Sequence, residues 1–549
     1  MGKENSMGME GIAAGPLPIS PFLADWVFFH AQRTPDARAI ASASHRLTYR
    51  DLAERVVQLA DHFAARGIGA GSRVLLATPN SSATVVAGLA LNALGATSVE
   101  VNRDWNHAVL GEIVDQSQVT HVVVAARDIS KWAAALHGRR VQHAWVIDRR
   151  PFVDSTRQQL SGIPSTLLHE DGRVDAEATV ETFPQPATLT SQSAALILYT
   201  SGSTGRPRGV IQTFANIDAN TRSIVQYLGL TAADRALLML PLYYCYGRSV
   251  LQTHLLVGGS VFLENRMAFP RVVLETLAAE ECTGLAGVPL TFELFRRQVD
   301  VSTIEMPHLR YLTQAGGAMA PDTVAWVRRA FAPARLFVMY GQTEATARLA
   351  YLPPERAEEK PGSIGIPIPG VELRVVDEKG REVPAGTVGE LVGRGANVTQ
   401  GYLEDPEATS TILRDGWLWT GDLAERDADG FLYHRGRAKD ILKVGGRRVS
   451  PTEIEDEVYA SGLVTDAVVL GIPHPALGQS VALVASPSDG RARDSDSLLR
   501  ILRRRLPRYM VPTIIEWRNE LPRTPNGKYD RALLRRNIVS SLSQSGDNL

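Results

Sequence analysis

Short apolar strands alternate with amphipathic helices along most of the chain. The capping box Thr48-x-x-Asp51 begins a helix whose apolar side chains then repeat at helical spacing. The segment 83–95 predicts a second, largely buried helix. Three apolar runs predict strands, at 74–77, 97–101 and 121–125. Alternation of this kind is typical of stacked, mostly parallel sheets covered by helices, so we expect a large α/β body.

The pattern changes after about residue 363, where Pro and Gly separate short alternating segments and predict a β-rich subdomain. Beyond Gly436 a compact α+β pattern follows, with helices expected from Pro451 and over 496–506. We place a domain boundary near Ala438. The expected parts are a disordered tail over 1–20, an N-terminal domain over 21–438, a C-terminal domain over 439–535 and a second disordered tail over 536–549.

Composition excludes several classes of protein. Lys and Arg total 58 and Asp and Glu total 59, a net charge of -1 that gives no overall attraction to nucleic acid. No apolar run approaches the length that spans a bilayer, so we expect no integral membrane segment. The two cysteines, Cys245 and Cys282, are too few for a disulfide framework, and we expect a cytoplasmic protein.

A loop rich in Gly, Ser and Thr follows the apolar strand 194–198. It runs from Tyr199 to Val210 and contains three Gly, four hydroxyl side chains, Arg206 and Arg208. Backbone N–H groups and hydroxyls of this kind can turn toward phosphate oxygens. The spacing is neither a Walker A loop nor a dinucleotide fingerprint, which argues against a P-loop ATPase. A flexible Ser/Gly linker is the alternative interpretation.

Further motifs follow this loop in a fixed order. They are Gly316-Gly317-Ala318, Tyr340-Gly341-Gln342-Thr343-Glu344, Gly389-Glu390-Leu391, Trp419-Thr420-Gly421-Asp422, Gly436-Arg437-Ala438-Lys439-Asp440 and Pro525-Asn526-Gly527-Lys528. The ordered set resembles the adenylate-forming superfamily, which contains acyl- and aryl-CoA ligases, nonribosomal peptide adenylation domains and luciferases. The resemblance extends from about residue 47 to 533.

This resemblance implies that ATP activates a carboxylic acid as an acyl-adenylate, and that a thiol then takes the acyl group. The acid and the α-phosphate are both anions, so the site must supply cations, and Lys528 is similar to the adenylation lysine of the superfamily. Thr343 and Glu344 are the other expected catalytic residues, with Glu344 as the Mg²⁺ ligand. The expected nucleotide-binding residues are Thr200, Ser201, Gly202, Ser203, Thr204, Gly205, Arg208, Gly316, Gly317, Ala318, Tyr340, Gly341, Asp422 and Arg437.

The resemblance also implies a mobile C-terminal domain that rotates on Lys439 between the two half-reactions. The expected thiol-acceptor loop contains Lys443, Gly445, Gly446 and Arg448, and the expected acid pocket contains Tyr244, Tyr246, Val288, Leu290 and Met339. Such a pocket suits an aryl, arylpropenoic or medium-chain fatty acid. The missing aspartate near Tyr244 disfavours an α-amino acid. We expect Arg208 to replace the usual lysine, and Arg248 to form a surface ion pair rather than bind a second substrate carboxylate.

Two thiol acceptors fit the motifs. We expect CoA, with the phosphopantetheine arm of a carrier protein as the alternative. A catalytically inactive nucleotide-binding relative is disfavoured because Lys528, Asp422 and Glu344 are all present. The expected ligands are therefore ATP, Mg²⁺, CoA and a small carboxylic acid. A homodimer is an alternative to a monomer that the sequence leaves open.

Overall fold

The structure of the chain is a computed structural model. It describes residues 16–148, 160, 162–175, 188–200, 207–475, 477–488, 491–524 and 529–545. The chain forms two compact units. The first contains Met1–Arg266, Glu275–Leu285 and Met306–Leu309, and the second contains Met267–Leu274, Ala286–Glu305 and Arg310–Leu549. The boundary expected near Ala438 falls inside the second unit and stays a prediction.

The first unit contains two sheets. Its strands are β1 (Arg38–Ser42), β2 (Arg46–Thr48), β3 (Arg73–Ala77), β4 (Thr97–Glu100), β5 (His121–Ala125), β6 (His143–Asp148), β7 (Ser165–His169), β8 (Ala194–Thr200), β9 (Arg208–Thr213), β10 (Arg235–Leu238), β11 (Ser260–Leu263) and β12 (Gly284–Gly287), which runs on into the second unit. One sheet has the order β9-β8-β4-β3-β5-β6-β7, and the other has the order β12-β10-β11-β1-β2. All neighbours are parallel except the pairs β8–β9 and β1–β2, which confirms the expected mostly parallel sheets.

Helices bury the faces of these sheets. They are Leu23–Arg33, Tyr49–Ala64, Ser82–Ala93, His107–Ser117, Ile129–Leu136, Phe214–Leu228 and Cys245–Val257. The helix Ser82–Ala93 is buried along its whole length and contacts β1 of one sheet and β3 and β4 of the other, so it forms a layer between them. The capping box predicted at Thr48 and Asp51 is present at the start of Tyr49–Ala64.

The second unit begins with a small parallel pair, β13 (Tyr311–Gln314) and β14 (Arg335–Tyr340), followed by β15 (Ala350–Leu352) and β16 (Ile366–Pro367) in antiparallel order. A five-stranded antiparallel sheet comes next and confirms the predicted β-rich subdomain. It consists of β17 (Val371–Val376), β18 (Gly389–Gly395), β20 (Leu413–Arg414), β21 (Trp417–Arg426) and β22 (Leu432–Arg437), and the short strand β19 (Gly401–Tyr402) precedes β20 along the chain. The helices of this region are Pro289–Gln298, Pro321–Ala330 and Pro406–Ile412, while Pro270–Ala279 is divided between the units.

The end of the second unit is the expected α+β layer. Its strands are β23 (Leu442–Val444), β24 (Arg447–Val449), β25 (Val464–His474), β26 (Gly478–Pro487) and β27 (Ile514–Trp517), and its helices are Pro451–Tyr459, Ser495–Arg505 and Arg531–Ser545. Successive side chains of β25 point to opposite faces, so Val469 packs with Ile454 and Val468 packs with Ile538.

Two expectations about the ends of the chain need correction. The expected disordered tail over 536–549 is wrong as far as Ser545, because the helix Arg531–Ser545 continues through it and Ile538 is buried in the core. At the other end, residues 16–20 are also held, since the carbonyl of Pro18 accepts a 2.7 Å hydrogen bond from Arg222. Residues 1–15 lie outside the described part.

Candidate active site

Tyr340, at the end of β14, meets the carboxylate of Asp422 on β21. The Tyr340 hydroxyl donates a 2.6 Å hydrogen bond to Oδ2 of Asp422. The guanidinium Nε of Arg437, on the neighbouring strand β22, lies 2.9 Å from Oδ1, and Nε2 of His434 lies 3.7 Å from the same atom. Strand register explains the pairing, because Asp422 and Arg437 are opposite each other in the antiparallel ladder. Three residues expected to bind nucleotide are therefore in contact.

The electrostatics keep Asp422 ionised. Only 3% of Asp422 is exposed, and burial alone would raise the pKa of its carboxyl group. The imidazole of His434 and the charge of Arg437 outweigh burial and lower that pKa to about 2. Among the described residues Oδ1 has no aligned hydrogen-bond donor, although Arg437 is close. Asp422 thus offers a buried, charged acceptor to a ligand hydroxyl.

The turn after Tyr340 brings Thr343 and Glu344 close to this group. Gly341 is required here, because a Cβ atom would lie 2.0 Å from the carbonyl oxygen of Ala347. Thr343 and Glu344 then form a single 3₁₀ turn, Thr343–Ala345, in which Thr343 is buried. The Glu344 carboxylate is near enough to Arg437 to raise the pKa of its guanidinium, although Asp422 has the larger effect. The structure therefore places both carboxylates around one arginine.

The Gly316-Gly317-Ala318 turn follows β13. Gly316 has φ +88°, a conformation that favours glycine, and the Gln314 side-chain amide donates a 2.7 Å hydrogen bond to the carbonyl of Gly317. Gly317 and Ala318 are exposed. The exposed part of the turn therefore carries no side chain larger than a methyl group.

Two expected phosphate-binding features lie largely outside the described residues. Ser201, Gly202, Ser203, Thr204 and Gly205 are not described, while Thr200 and Arg208 lie opposite each other at the ends of β8 and β9. Only the two strand ends that flank the loop are therefore described, and both belong to the first unit. Lys528 also lies outside the described residues. On either side of its segment, Arg523 and Tyr529 both hydrogen-bond to Oδ1 of Asp466.

The expected acid-pocket residues are divided between the units. In the first unit, the rings of Tyr244 and Tyr246 meet edge to face with centroids 6.3 Å apart, and Tyr246 is almost fully buried. In the second unit, Val288 and Met339 are buried and Leu290 is partly buried. Each set supplies apolar surface within its own unit.

The expectation of a surface ion pair at Arg248 is wrong. Arg248 lies in the fully buried helix Cys245–Val257, and its guanidinium forms an ion pair with Glu100 of β4, also buried. Its Nε also donates a 3.3 Å hydrogen bond to the carbonyl of Leu242. Burial lowers the pKa of Arg248 to about 10, so it remains a cation. Arg248 therefore braces the segment before Tyr244.

The expected hinge and thiol-acceptor residues lie at the start of the α+β layer. Lys439 is exposed in the 3₁₀ turn Ala438–Asp440. Gly445 and Gly446 form the β23–β24 turn with φ values of +56° and +77°, and a Cβ on Gly446 would meet nothing within 4 Å. Lys443 is exposed, and the Arg448 side chain lies outside the described part. The space next to Gly446 is therefore open.

Sequence reasoning missed three residues that shape the site. His434 contacts Asp422, Tyr402 donates a 2.7 Å hydrogen bond to Oε1 of Glu344, and Asn397 hydrogen-bonds the turn after Glu344. Asn397 and Tyr402 are distant from their partners along the chain, whereas His434 lies on β22, the strand next to that of Asp422. A sequence signal for these residues is that polar side chains lie close to recognised motifs. Asn397 and Tyr402 follow β18, which begins with the Gly389-Glu390-Leu391 motif, and His434 precedes Arg437.

The described residues contain neither a membrane-spanning helix nor a cluster of metal-binding side chains. No helix among those described is long and apolar enough to cross a membrane. Within the same residues, no three His, Cys, Asp or Glu side chains converge as a metal site would require. A metal at Glu344 would therefore depend on ligand oxygens as well as the protein.

Comparison with known proteins identifies the family. Residues 27–403 match the model for AMP-binding enzymes, and residues 453–528 match that for the AMP-binding enzyme C-terminal domain. The feruloyl-CoA synthase of an Amycolatopsis species is 32% identical over 519 residues, covering 94% of this chain and 98% of that protein. The indoleacetate–CoA ligase of Aromatoleum aromaticum is 28% identical, covering 92% and 96%.

The fold comparison agrees. The crystal structure of ATP-bound MatB from Rhodopseudomonas palustris superposes with a TM-score of 0.81 and 27% identity, covering 95% of this chain and all of that one. The two-domain fold expected from the motifs is therefore confirmed. Since family models match most of the sequence and the Tyr340–Asp422–Arg437 group is assembled, this chain belongs to the AMP-binding enzymes.

Proposed function

We propose that this chain joins an aromatic monocarboxylic acid to CoA. The reaction is that of an AMP-forming acid–CoA ligase. The acid attacks the α-phosphorus of ATP and releases pyrophosphate, and the CoA thiol then displaces AMP from the acyl-adenylate. The observation that carries the proposal is the contact of Tyr340 and Arg437 with the buried carboxylate of Asp422, inside a chain that matches the family in both of its parts.

ATP binding is supported by complementary groups in the second unit. Asp422 would accept hydrogen bonds from the ribose hydroxyls, because its carboxylate is ionised. The flat ring of Tyr340 and the small side chains of Gly317 and Ala318 suit the two faces of an adenine. Arg437 supplies positive charge beside the sugar.

The first half-reaction brings two anions together. Lys528 and Arg208, with the hydroxyls of the loop after Thr200, are the groups we assign to screen the acid carboxylate and the phosphate. No general base is required, because the acid is already ionised at neutral pH. Preorganised charge is therefore the main contribution that we assign to this part of the chain.

Glu344 suits a Mg²⁺ ion that is shared with ATP. Oε1 of Glu344 accepts the Tyr402 hydroxyl, whereas Oε2 has no hydrogen bond or ion pair to any described residue. Proteins often supply only one or two carboxylate oxygens to a Mg²⁺ ion bound to a triphosphate, because Mg²⁺ retains water and phosphate ligands. When bound, Mg²⁺ would neutralise charge that develops on the phosphates.

The class of acid follows from the apolar residues and from Arg248. Tyr244 and Tyr246 present aromatic surface in the first unit, and relatives named for feruloyl and indoleacetate substrates suggest a ring-bearing acid. Arg248 is already paired with Glu100 in the core, so it offers no free cation to a second carboxylate. A monocarboxylic acid is therefore favoured.

CoA is the acceptor that we assign. The comparisons favour CoA over a carrier protein, and the open turn at Gly446 is compatible with the pantetheine arm. Rotation on Lys439 between the half-reactions is part of the same proposal. The two cysteines are both buried and neither forms a disulfide within the described residues, which fits a reducing compartment such as the cytoplasm.

The test is thioester formation with a panel of acids. Cinnamic-type, arylacetic, benzoic, medium-chain fatty and dicarboxylic acids would be supplied with ATP, Mg²⁺ and CoA, and acyl-CoA products quantified by mass spectrometry. Aryl monocarboxylates should give the highest kcat/KM. Tyr244→Phe should leave kcat within about tenfold, whereas Tyr244→Ala should admit bulkier acids and weaken the native one by about 1–3 kcal/mol. A clear preference for dicarboxylates would contradict the proposal.

A further inference from the structure

Five hydrogen bonds connect the segment 397–402 to the turn 344–348 in the second unit. They run from the Asn397 side-chain amide to the carbonyls of Ala345 (3.2 Å) and Arg348 (2.9 Å), from the Thr346 hydroxyl to the carbonyl of Asn397 (2.7 Å), from the Thr399 N–H to the carbonyl of Glu344 (2.8 Å), and from the Tyr402 hydroxyl to Oε1 of Glu344 (2.7 Å). Both the main chain and the side chain of Glu344 are therefore held from the same segment.

The turn that these bonds hold has an unfavourable backbone. Thr346 has φ +64° and ψ -60°, although a β-branched residue rarely adopts positive φ. Strain of this kind persists only where the surroundings determine the conformation, and it concentrates at functional sites. Asn397 supplies that constraint, because it is only 2% exposed and its one amide nitrogen serves two carbonyls of the turn.

Tyr402 is itself fixed before it contacts Glu344. Its backbone N–H donates a 2.9 Å hydrogen bond to the Thr409 hydroxyl, and Gly401 packs so closely on Thr409 that a Cβ would lie 2.4 Å from its methyl group. The phenol hydroxyl therefore reaches Glu344 from an anchored backbone. A charge-assisted bond from a fixed donor restricts the carboxylate to one orientation.

We propose that Tyr402 and Asn397 are positioning residues for the adenylation step. Tyr402 holds Oε1 of Glu344 and so leaves Oε2 to the metal–ATP complex, while Asn397 keeps the turn that carries Glu344 in its strained shape. This inference rests on the proposed role of Glu344 as the protein's Mg²⁺ ligand. Neither residue touches substrate in this scheme, because both act through Glu344.

The test compares Tyr402→Phe with the native chain in binding and in each half-reaction. The Phe ring keeps the packing and removes only the hydroxyl. Affinity for α,β-methylene-ATP would be measured with Mg²⁺ and with EDTA. We expect Mg²⁺ to tighten binding to the native chain, and we expect this gain to fall by about tenfold in Tyr402→Phe while the affinity in EDTA stays unchanged. Single-turnover adenylation should slow by about 10- to 100-fold, with thioester formation from supplied acyl-adenylate unaffected.

The matched control is Tyr433→Phe, which removes a hydroxyl that donates a 3.3 Å hydrogen bond to Asp427 in the same unit. It should behave like the native chain in every assay. Asn397→Asp preserves size but removes both N–H donors, and should reproduce the Tyr402→Phe pattern. Should Asn397→Asp fail to fold, Asn397→Leu, which has a similar volume, no N–H donor and no buried charge, replaces it, and native behaviour of that variant would overturn the role of Asn397.

Glu344→Gln separates this inference from the proposed function. Loss of the Mg²⁺-dependent gain in both Glu344→Gln and Tyr402→Phe supports the inference. Loss in Glu344→Gln alone overturns the positioning role but keeps the metal role. Retention of the gain in Glu344→Gln overturns the metal role, and the inference with it. Equal slowing of both half-reactions in Tyr402→Phe would also overturn the positioning role.

Discussion

The hydroxyl of Tyr340 donates a 2.6 Å hydrogen bond to Oδ2 of Asp422, across 82 positions of sequence. The bond joins the residue proposed to face adenine with the residue proposed to bind ribose. Burial raises the pKa of Tyr340, and the Asp422 carboxylate raises it further, so the phenol remains a donor at all ordinary pH values. A hydrogen bond therefore connects the adenine-binding and ribose-binding parts of the proposed ATP site.

Tyr340→Phe should raise the KM for ATP by about tenfold, because a buried carboxylate loses a donor. Tyr340→Phe retains the aromatic ring. Tyr340→Ala removes the ring as well, so it should raise the KM for ATP further through lost stacking. Steady-state kinetics with varied ATP at saturating acid and CoA would measure both effects. An unchanged KM for ATP in Tyr340→Phe would show that the hydrogen bond contributes nothing to the nucleotide site.

Asp422 should also make folding stability depend on pH at the acid end. Its folded pKa of about 2 lies below the usual unfolded value near 3.9, so its stabilising contribution is present above about pH 4 and is lost as pH falls toward 2. Urea unfolding at pH 5 and pH 2.5 would give the free energy of unfolding of the native chain and of Asp422→Asn. The difference between the two chains should decrease by about 2 kcal/mol from pH 5 to pH 2.5. A difference that is constant with pH would contradict the assigned pKa.

Three histidines in the first unit predict a second pH effect in a milder range. The rings of His62, His121 and His143 surround Trp145, with centroids 4.6–6.1 Å from it. Burial, followed by the charge of Arg66, lowers all three pKa values, to about 4 for His62 and His143. Asp61 partly opposes the shift of His62.

Because the unfolded histidines bind protons below about pH 6.5 and the folded ones do not, the stability of the chain should fall as pH drops from 6.5 to 4. His143→Gln should remove the part of this loss of stability that comes from His143, on the order of 1–2 kcal/mol at pH 5. Thermal unfolding at pH 7 and pH 5 would measure this effect, because the decrease in Tm between the two pH values should be smaller in the variant than in the native chain. Identical losses in both chains would show that His143 is not responsible.

Lys528→Ala should abolish adenylate formation and leave thioester formation from a supplied acyl-adenylate largely intact. The lysine screens two anions in the first step only, since the second is attack by a thiol on a carbonyl. Rapid-quench assays of the two half-reactions would test this division. If both steps slow equally, Lys528 does not have the assigned role.

Local features were predicted from sequence and long-range contacts were not. The capping box at Thr48 depends on residues three positions apart and was recognised directly. The motif around Tyr340 was recognised as a unit, yet its hydrogen bond to Asp422 appears only when two sheets fold. Arg248 was assigned to the surface because its partner, Glu100, is 148 residues away. Asn397 was missed for the same reason, since its partners Ala345 and Arg348 are 52 and 49 residues away.

The boundary near Ala438 rests on a change in sequence pattern and stays a prediction, because compact units depend on contact density rather than on composition. The helix Arg531–Ser545 is rich in Ser toward its end, which resembles a polar tail in sequence, although Leu534 and Ile538 are one turn apart and both are buried.

The central claim is that this chain activates an acid through an acyl-adenylate. Exchange of radiolabelled pyrophosphate into ATP, measured with an aryl monocarboxylate and Mg²⁺ but without CoA, tests it most directly. Reversible adenylate formation predicts acid-dependent exchange that needs no thiol, and AMP as the nucleotide product once CoA is added. Exchange that requires CoA, or ADP as the product, would contradict the account.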